Sequence, residues 1–115
     1  MDVKKATSTE LLQELVKRGG HPGAIAEAVL LCIAKSADYN QGMGLEDPHT
    51  VNRESYFPFK EASYAQMLHT KSQRFNSLVL KAFNNGAPNF EGLRDTALDI
   101  INYAGFFLAD RRLKK

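Results

Sequence analysis

The stretch EGLRDTALDIINYAGFFLADRR, residues 91–112, decides the fold class, because its apolar residues recur with the period of an α-helix. In its first half these residues share one face of the helix. The opposite face carries three carboxylates at intervals of four residues, Glu91, Asp95 and Asp99. Like charges at that spacing weaken an isolated helix. The pattern therefore predicts a helix whose acidic face has a specific partner or ligand.

The second half of this helix differs from the first. The run IINYAGFFL, residues 100–108, is apolar on every side, which predicts that this half is covered. Asp99 and Asn102 lie where the exposed face gives way to the covered one. This position indicates the edge of a cleft or of an oligomer interface. A solvated face is the alternative interpretation of the acidic row.

Three further helices precede this one, and no stretch predicts a strand. The first covers residues 8–18 and begins at a capping box formed by Thr7 and Glu10. The second covers about residues 21–39, and its apolar residues surround the helix, as in a central element. The third covers about residues 59–83. The prediction is an all-α fold, a compact bundle of four main helices.

One long segment, residues 40–57, separates the second and third helices. A connection of this length in a small protein is more often a functional or binding loop than a plain linker, although a short extra helix within it is an alternative. The chain has 115 residues, which suit one domain. We expect residues 1–20 to form a peripheral N-terminal helix and residues 21–115 to form the core.

Composition narrows the classes of function. The formal net charge of +2 falls short of the basic patch of a duplex-binding domain, so no duplex nucleic acid is expected. Neither a secretion signal nor a run of about 18 apolar residues is present, so no membrane is expected. The single cysteine, Cys32, cannot form an intrachain disulfide, which favours the cytoplasm. Phosphate-loop, dinucleotide and H-E-x-x-H motifs are absent.

Two cations on the third helix bear on the acidic row. Lys71 falls within the apolar arc of that helix, and Arg74 lies at its edge. A lysine in such a position either extends along the helix to water or meets a negative partner. Extension to water is the usual outcome. The acidic face of the last helix offers the alternative.

The carboxylates suggest a metal as well. Asp95 and Asp99 are one turn apart and can share one Mg²⁺ through its water shell. Glu27 on the second helix is a candidate third ligand. Lys71 and Arg74 can neutralise phosphate oxygens. Together the five residues predict a site for a nucleoside phosphate.

Three segments carry a resemblance to a known family: AKSADYN at 34–40, QMLHTKSQRFNSLV at 66–79 and PNFEGLRDTALDIINYA at 88–104. They resemble the small nucleotide-modification-associated domains of phage and prophage genomes, which are similar to the all-α MazG-like NTP pyrophosphatases. The most distinctive pieces are the K-x-x-R of the third helix and the D-x-x-x-D-x-x-N-Y of the fourth. The resemblance extends from the second helix onward.

The resemblance implies a helical core whose charged face meets nucleotide phosphates, often across a dimer or tetramer interface. The positions that it marks on helices two to four are Lys35, Asp38, Tyr39, Lys71, Arg74, Asp95, Asp99, Asn102 and Tyr103. The chain also departs from the pattern of MazG-type enzymes, which bind Mg²⁺ through four carboxylates. Leu30 and Thr96 stand where two of these are expected. The depleted set argues against hydrolysis more than against binding.

Three hypotheses of function follow. The first is a phage-type protein that binds or sequesters a nucleotide, for example a defence signalling nucleotide, and so acts in anti-defence. The second is a Mg²⁺-dependent nucleoside triphosphate pyrophosphohydrolase. The third is a helical protein that inhibits a host protein. We expect a cytoplasmic protein of a bacterial host. We also expect a homodimer or homotetramer, because the last helix has more apolar surface than four helices easily cover.

Overall fold

The computed structural model describes residues 1–40, 56–87 and 89–113, with the backbone alone at 36–40 and 85. This part of the chain contains four α-helices and no strand. They are α1 (Ser8–Arg18), α2 (Gly20–Asn40), α3 (Glu61–Asn85) and α4 (Phe90–Ala109), and a short 3-10 turn (Arg111–Leu113) follows α4. The predicted all-α fold is confirmed.

The chain divides into two compact units, Met1–Val51 and Asn52–Lys115. The first contains α1 and α2, and the second contains α3 and α4. Most of the predicted loop, residues 41–55, lies outside the described residues. The single domain stays a prediction from the sequence. None of the described helices has the length and apolar character needed to cross a membrane.

The first unit begins with the predicted capping box. The backbone N–H of Glu10 donates to Thr7 Oγ1 at 3.1 Å, and the backbone N–H of Thr7 donates to Glu10 Oε1 at 3.0 Å. These two bonds satisfy donors that the first turn of a helix leaves without intrahelical partners. Gly19 ends α1 at a φ of 79°, a backbone conformation that favours glycine. The predicted bounds of α1 are confirmed.

Helices α1 and α2 approach each other closely at Gly23. A Cβ atom added there would lie 2.8 Å from the carbonyl oxygen of Leu15, well inside van der Waals contact. The buried residues of α2 near this approach are small, namely Ala26 and Ala28, and Cys32 is buried one turn further on. Small side chains on α2 therefore allow the two backbones to pack.

The close approach gives a prediction about Gly23. Gly23→Ala should lower the free energy of unfolding by about 1–3 kcal/mol, because the added methyl group forces a backbone shift. The matched control is Gly105→Ala in α4, where an added Cβ meets nothing within 4 Å. There the better helix propensity of alanine should raise stability by about 0.5–1 kcal/mol. Urea unfolding followed by circular dichroism measures both, and a stability for Gly23→Ala equal to the wild type would contradict the packing.

In the second unit, α3 and α4 form an antiparallel hairpin. Tyr64 contacts Asp110 and, further along, Lys71 contacts Asp99, so the position on α4 falls as the position on α3 rises. The described part of α3 is continuous from Glu61 and begins two residues later than predicted. The hairpin therefore has a closed end at its connection and an open end at Tyr64 and Asp110.

The ends of the two helices at the connection use two sequence signals. Gly86 ends α3 in the left-handed conformation with a φ of 67°, which glycine adopts without steric cost. Asn89 caps the start of α4, because its side-chain oxygen accepts the backbone N–H of Gly92 at 2.9 Å. Both ends are set by local chemistry.

Aromatic rings fill the open end of the hairpin. The ring of Phe57 stacks on that of Tyr64 with centroids 4.3 Å apart, and it meets the rings of Tyr103 and Phe106 at 6.0 and 6.1 Å. Phe57, Tyr64 and Phe106 are buried. Leu108, in the second half of α4, is 71% exposed in the single chain. The prediction that this half is covered, in a cleft or at an oligomer interface, stays a prediction.

Candidate functional site

Lys71 of α3 and Asp99 of α4 form an ion pair across the hairpin. Lys71 Nζ lies 3.0 Å from Asp99 Oδ2, and the two side chains are 23% and 31% exposed. Partial burial removes water from both charges, so each is stabilised by the other. The hypothesis that Lys71 meets the acidic row of the last helix is therefore confirmed.

Arg74 and Asp95 extend this pair toward the closed end of the hairpin. Arg74 follows Lys71 by three residues, and Asp95 precedes Asp99 by four, spacings at which side chains on a helix are neighbours. Because the helices are antiparallel, both steps run in the same direction. Arg74 and Asp95 are exposed. We call these four residues the charged face of the hairpin.

Asn102 and Tyr103 lie on the other side of the ion pair, toward the open end. Both are half-buried. The ring of Tyr103 packs edge-on against Phe57 and against Phe106, with centroids 6.0 and 6.2 Å apart. Its aromatic ring thus serves the core of the hairpin.

The remaining predicted residues belong to the first unit. Glu27 is half-buried in α2 and Lys35 is exposed in the same helix. The side chains of Asp38 and Tyr39 lie outside the described residues. Within the second unit, the described residues bring Lys71 and Asp99 together on the hairpin.

The described residues do not form a metal site by themselves. Among them, no group of three or more His, Cys, Asp or Glu side chains is placed to hold an ion. On the charged face only Asp95 and Asp99 offer carboxylates, and Asp99 is paired with Lys71. Mg²⁺ prefers a near-octahedral set of oxygen ligands. The assignment of Asp95, Asp99 and Glu27 to magnesium stays a prediction.

A buried polar network, which the sequence analysis missed, closes the open end. Tyr64 Oη donates to Asp110 Oδ2 at 2.6 Å, and Arg112 Nη2 donates to the same oxygen at 2.7 Å. Arg112 Nε lies 3.1 Å from Asp110 Oδ1. Arg112 Nη2 also donates to the backbone carbonyl oxygen of Phe57 at 2.8 Å. The network therefore connects the segment after α4 to the segment before α3.

The network keeps its two charges ionised. The hydrogen bond from the Arg112 side chain holds the pKa of the Asp110 carboxyl far below its usual range, although burial acts in the opposite direction, and the bond from Tyr64 adds to the lowering. The Asp110 carboxylate in turn raises the pKa of Arg112. Only 1% of the Asp110 side chain is exposed. A charge so buried stays ionised because its partners replace water.

A signal for this network was present in the sequence. Asp110 follows the last residue of α4, where a negative charge is unfavourable because the carbonyl end of a helix is itself negative. An aspartate at that position points to a cation close by, and Arg112 is two residues away. The helical pattern of residues 91–112 instead predicts a helix that extends past Ala109, where α4 ends. The carbonyl of Phe57 could not be found this way, because it is distant in sequence.

We predict that Arg112→Ala lowers the free energy of unfolding by about 2–4 kcal/mol, because it leaves a buried carboxylate without its cation. Arg111→Ala is the matched control. Arg111 is exposed, and its removal should change stability by less than about 0.5 kcal/mol. Urea unfolding at pH 7 measures the difference between the two variants.

The same pair should show a pH dependence. The pKa of the Asp110 carboxyl is lower in the folded chain than the ordinary aspartate value of about 3.8, so the contribution of its charge to the free energy of unfolding is complete above that pH. It falls by about 1.4 kcal/mol for each pH unit below about 3.8, until the folded pKa is passed. The penalty of Arg112→Ala should therefore shrink between pH 7 and pH 3. An equal penalty at both pH values would show that the charge of Asp110 is not involved.

Comparisons of the chain with protein-family models, curated proteins and solved structures found no match. The resemblance to phage nucleotide-modification-associated domains stays a prediction from the sequence. The charged face and the two ion pairs of the hairpin are the features of the described structure that bear on function.

Proposed function

We propose that this protein binds the phosphate groups of a nucleotide on the charged face of the α3–α4 hairpin. The observation that carries the proposal is the half-buried ion pair of Lys71 and Asp99. It holds a lysine ammonium at a partly dehydrated position on the hairpin surface. Coulomb interactions are stronger where water is partly excluded, so an anion reaching this ammonium gains more than at a fully exposed lysine.

The two cations of the charged face have complementary chemistry. The Lys71 ammonium is a compact charge with three donors. Arg74, one turn away, presents a planar guanidinium that can bind two oxygens of one phosphate. Both can therefore reach oxygens of the same polyphosphate. Two cations are too few for a duplex, whose recognition requires many phosphate contacts.

The resemblance to phage domains supplies the finer part of the proposal. On that basis the protein binds or sequesters a nucleotide in the cytoplasm of a bacterial host, for example a defence signalling nucleotide. A homodimer or homotetramer would place further residues beside the charged face. Lys35, Asp38, Tyr39, Asn102 and Tyr103 are the other residues that the resemblance proposes for the nucleotide.

We predict that Lys71→Ala lowers the affinity for nucleotides at least about tenfold, the equivalent of one charge-assisted contact. The purified chain is dialysed against NTPs, dNTPs and cyclic nucleotides without divalent metal, and the bound nucleotide is measured. Lys81→Ala removes an exposed lysine of the same helix and should leave the affinity unchanged. Circular dichroism verifies that both variants are folded. An intact affinity in Lys71→Ala would remove the phosphate assignment.

The same experiment with Mg²⁺ tests the pyrophosphohydrolase alternative. Nucleotide recovered unchanged after denaturation supports binding without turnover, which we expect because the described part of the charged face offers only two carboxylates. A product that requires Mg²⁺ and disappears in Asp99→Ala supports the enzyme, with Asp95, Asp99 and Glu27 as metal ligands.

A second candidate function is a helical interaction protein, including an inhibitor of a host protein. It is favoured by the large apolar side chains beside the connection of the hairpin, where Phe83 and Phe90 are 80% and 73% exposed. Exposed apolar residues of this size are frequent at protein interfaces.

We predict that a protein of this second kind self-associates or binds its partner through these two rings. The double variant Phe83→Ser, Phe90→Ser should then lower the mass measured by size-exclusion chromatography with light scattering. Phe59→Ser, at an exposed ring before α3, is the control. A mass that does not change, together with nucleotide binding, would favour the first function.

A further inference from the structure

We infer that Asp99 is an internal competitor for the anion site at Lys71. Its carboxylate pairs with the Lys71 ammonium. It must move away before a phosphate oxygen can take its place beside that ammonium. The inference rests on the proposed function and concerns the regulation of that site.

The Lys71–Asp99 ion pair and the Arg112–Asp110 ion pair differ in a way that supports this role. Asp110 is 1% exposed and accepts hydrogen bonds from Tyr64 and from both the side chain and the backbone of Arg112. Asp99 is 31% exposed, and the contact resolved for it is the one with Lys71 at 3.0 Å. Among the described residues, the first carboxylate is fixed by several bonds, whereas the second is held by the contact with Lys71. The Lys71–Asp99 pair is therefore the exchangeable one.

Water can reach both members of the exchangeable pair. Ion pairs with this access to solvent contribute only about 0–1 kcal/mol, so an anion of higher charge can displace the carboxylate. After displacement, Asp99 can be solvated, because it lies at the edge of the exposed acidic row of α4. The rearrangement requires rotation of side chains and no movement of either helix.

The charges around Lys71 determine whether Asp99 raises or lowers the affinity of this site for an anion. On α3 the nearest cation is Arg74, one turn away, and on α4 the acidic row contributes Asp99, Asp95 and, two turns from Asp99, Glu91. Asp99 is the carboxylate paired with the Lys71 ammonium, so an incoming anion meets both its repulsion and its competition for that ammonium.

The size of the effect follows from the occupancy of the pair. The apparent affinity of a ligand falls in proportion to the fraction of protein that is competent to bind it. If Lys71 is paired with Asp99 for most of the time, its ammonium is accessible to an anion in only a minor fraction of the protein molecules. We therefore expect a gain of about three- to tenfold in anion affinity when the competitor is removed.

The test is the affinity of the full chain for inorganic triphosphate and for ATP, measured by calorimetry without divalent metal at fixed ionic strength. Asp99→Asn removes the charge and keeps the size of the side chain, and should bind both probes about three- to tenfold more tightly than the wild type. Glu91→Gln makes the same change of charge on an exposed residue of the same helix and should stay within about twofold. In the double variant Lys71→Ala, Asp99→Asn the gain should be lost.

Each other outcome overturns the inference. An affinity in Asp99→Asn equal to or below that of the wild type would show that Asp99 does not compete, while the proposed function would stand on the wild-type binding. An equal gain in Glu91→Gln would reveal a general effect of net charge, and a gain that persists in the double variant would place the anion away from Lys71. No binding by any folded variant would overturn the inference and the proposed function together.

Discussion

The carboxylate of Asp110 is almost completely removed from water, and the arrangement of the second unit follows from the need to satisfy it. It accepts hydrogen bonds from Tyr64 near the start of α3 and from Arg112 after the end of α4. Arg112 also donates to the backbone carbonyl oxygen of Phe57. A buried charge without these partners would cost several kcal/mol. The network therefore fixes the end of one helix against the beginning of the other, and with it the register of the hairpin.

The register set at the open end determines what meets further along. With Tyr64 opposite Asp110, an antiparallel pair of helices brings Lys71 next to Asp99. Two helices can cover each other on one face only, so this second ion pair remains half-exposed. The same geometry that hides one carboxylate therefore leaves the other open to exchange. The two aspartates, Asp110 and Asp99, therefore differ in burial rather than in residue type.

Local chemistry and periodicity account for the part of the structure that the sequence predicts. The caps formed by Thr7 and Asn89 need only neighbouring residues. The partner of Lys71 was predictable as the alternative to extension into water, because one helix offers a row of carboxylates. The network of Asp110 depends on Phe57, which is far away in the chain. Its partners become neighbours only after the hairpin has formed, and no periodic pattern marks them.

Burial is the quantity that sequence patterns estimate least well, and here it distinguishes the two ion pairs of the hairpin. From the residue types alone, Asp99 is equally a metal ligand, a solvated charge or the partner of a cation. The structure shows the third arrangement, with both side chains in partial contact with water. A pair in that state is stable enough to position Lys71 and weak enough to open for a stronger anion. One member of the acidic row that destabilises the isolated helix is thus stabilised by a cation of the neighbouring helix.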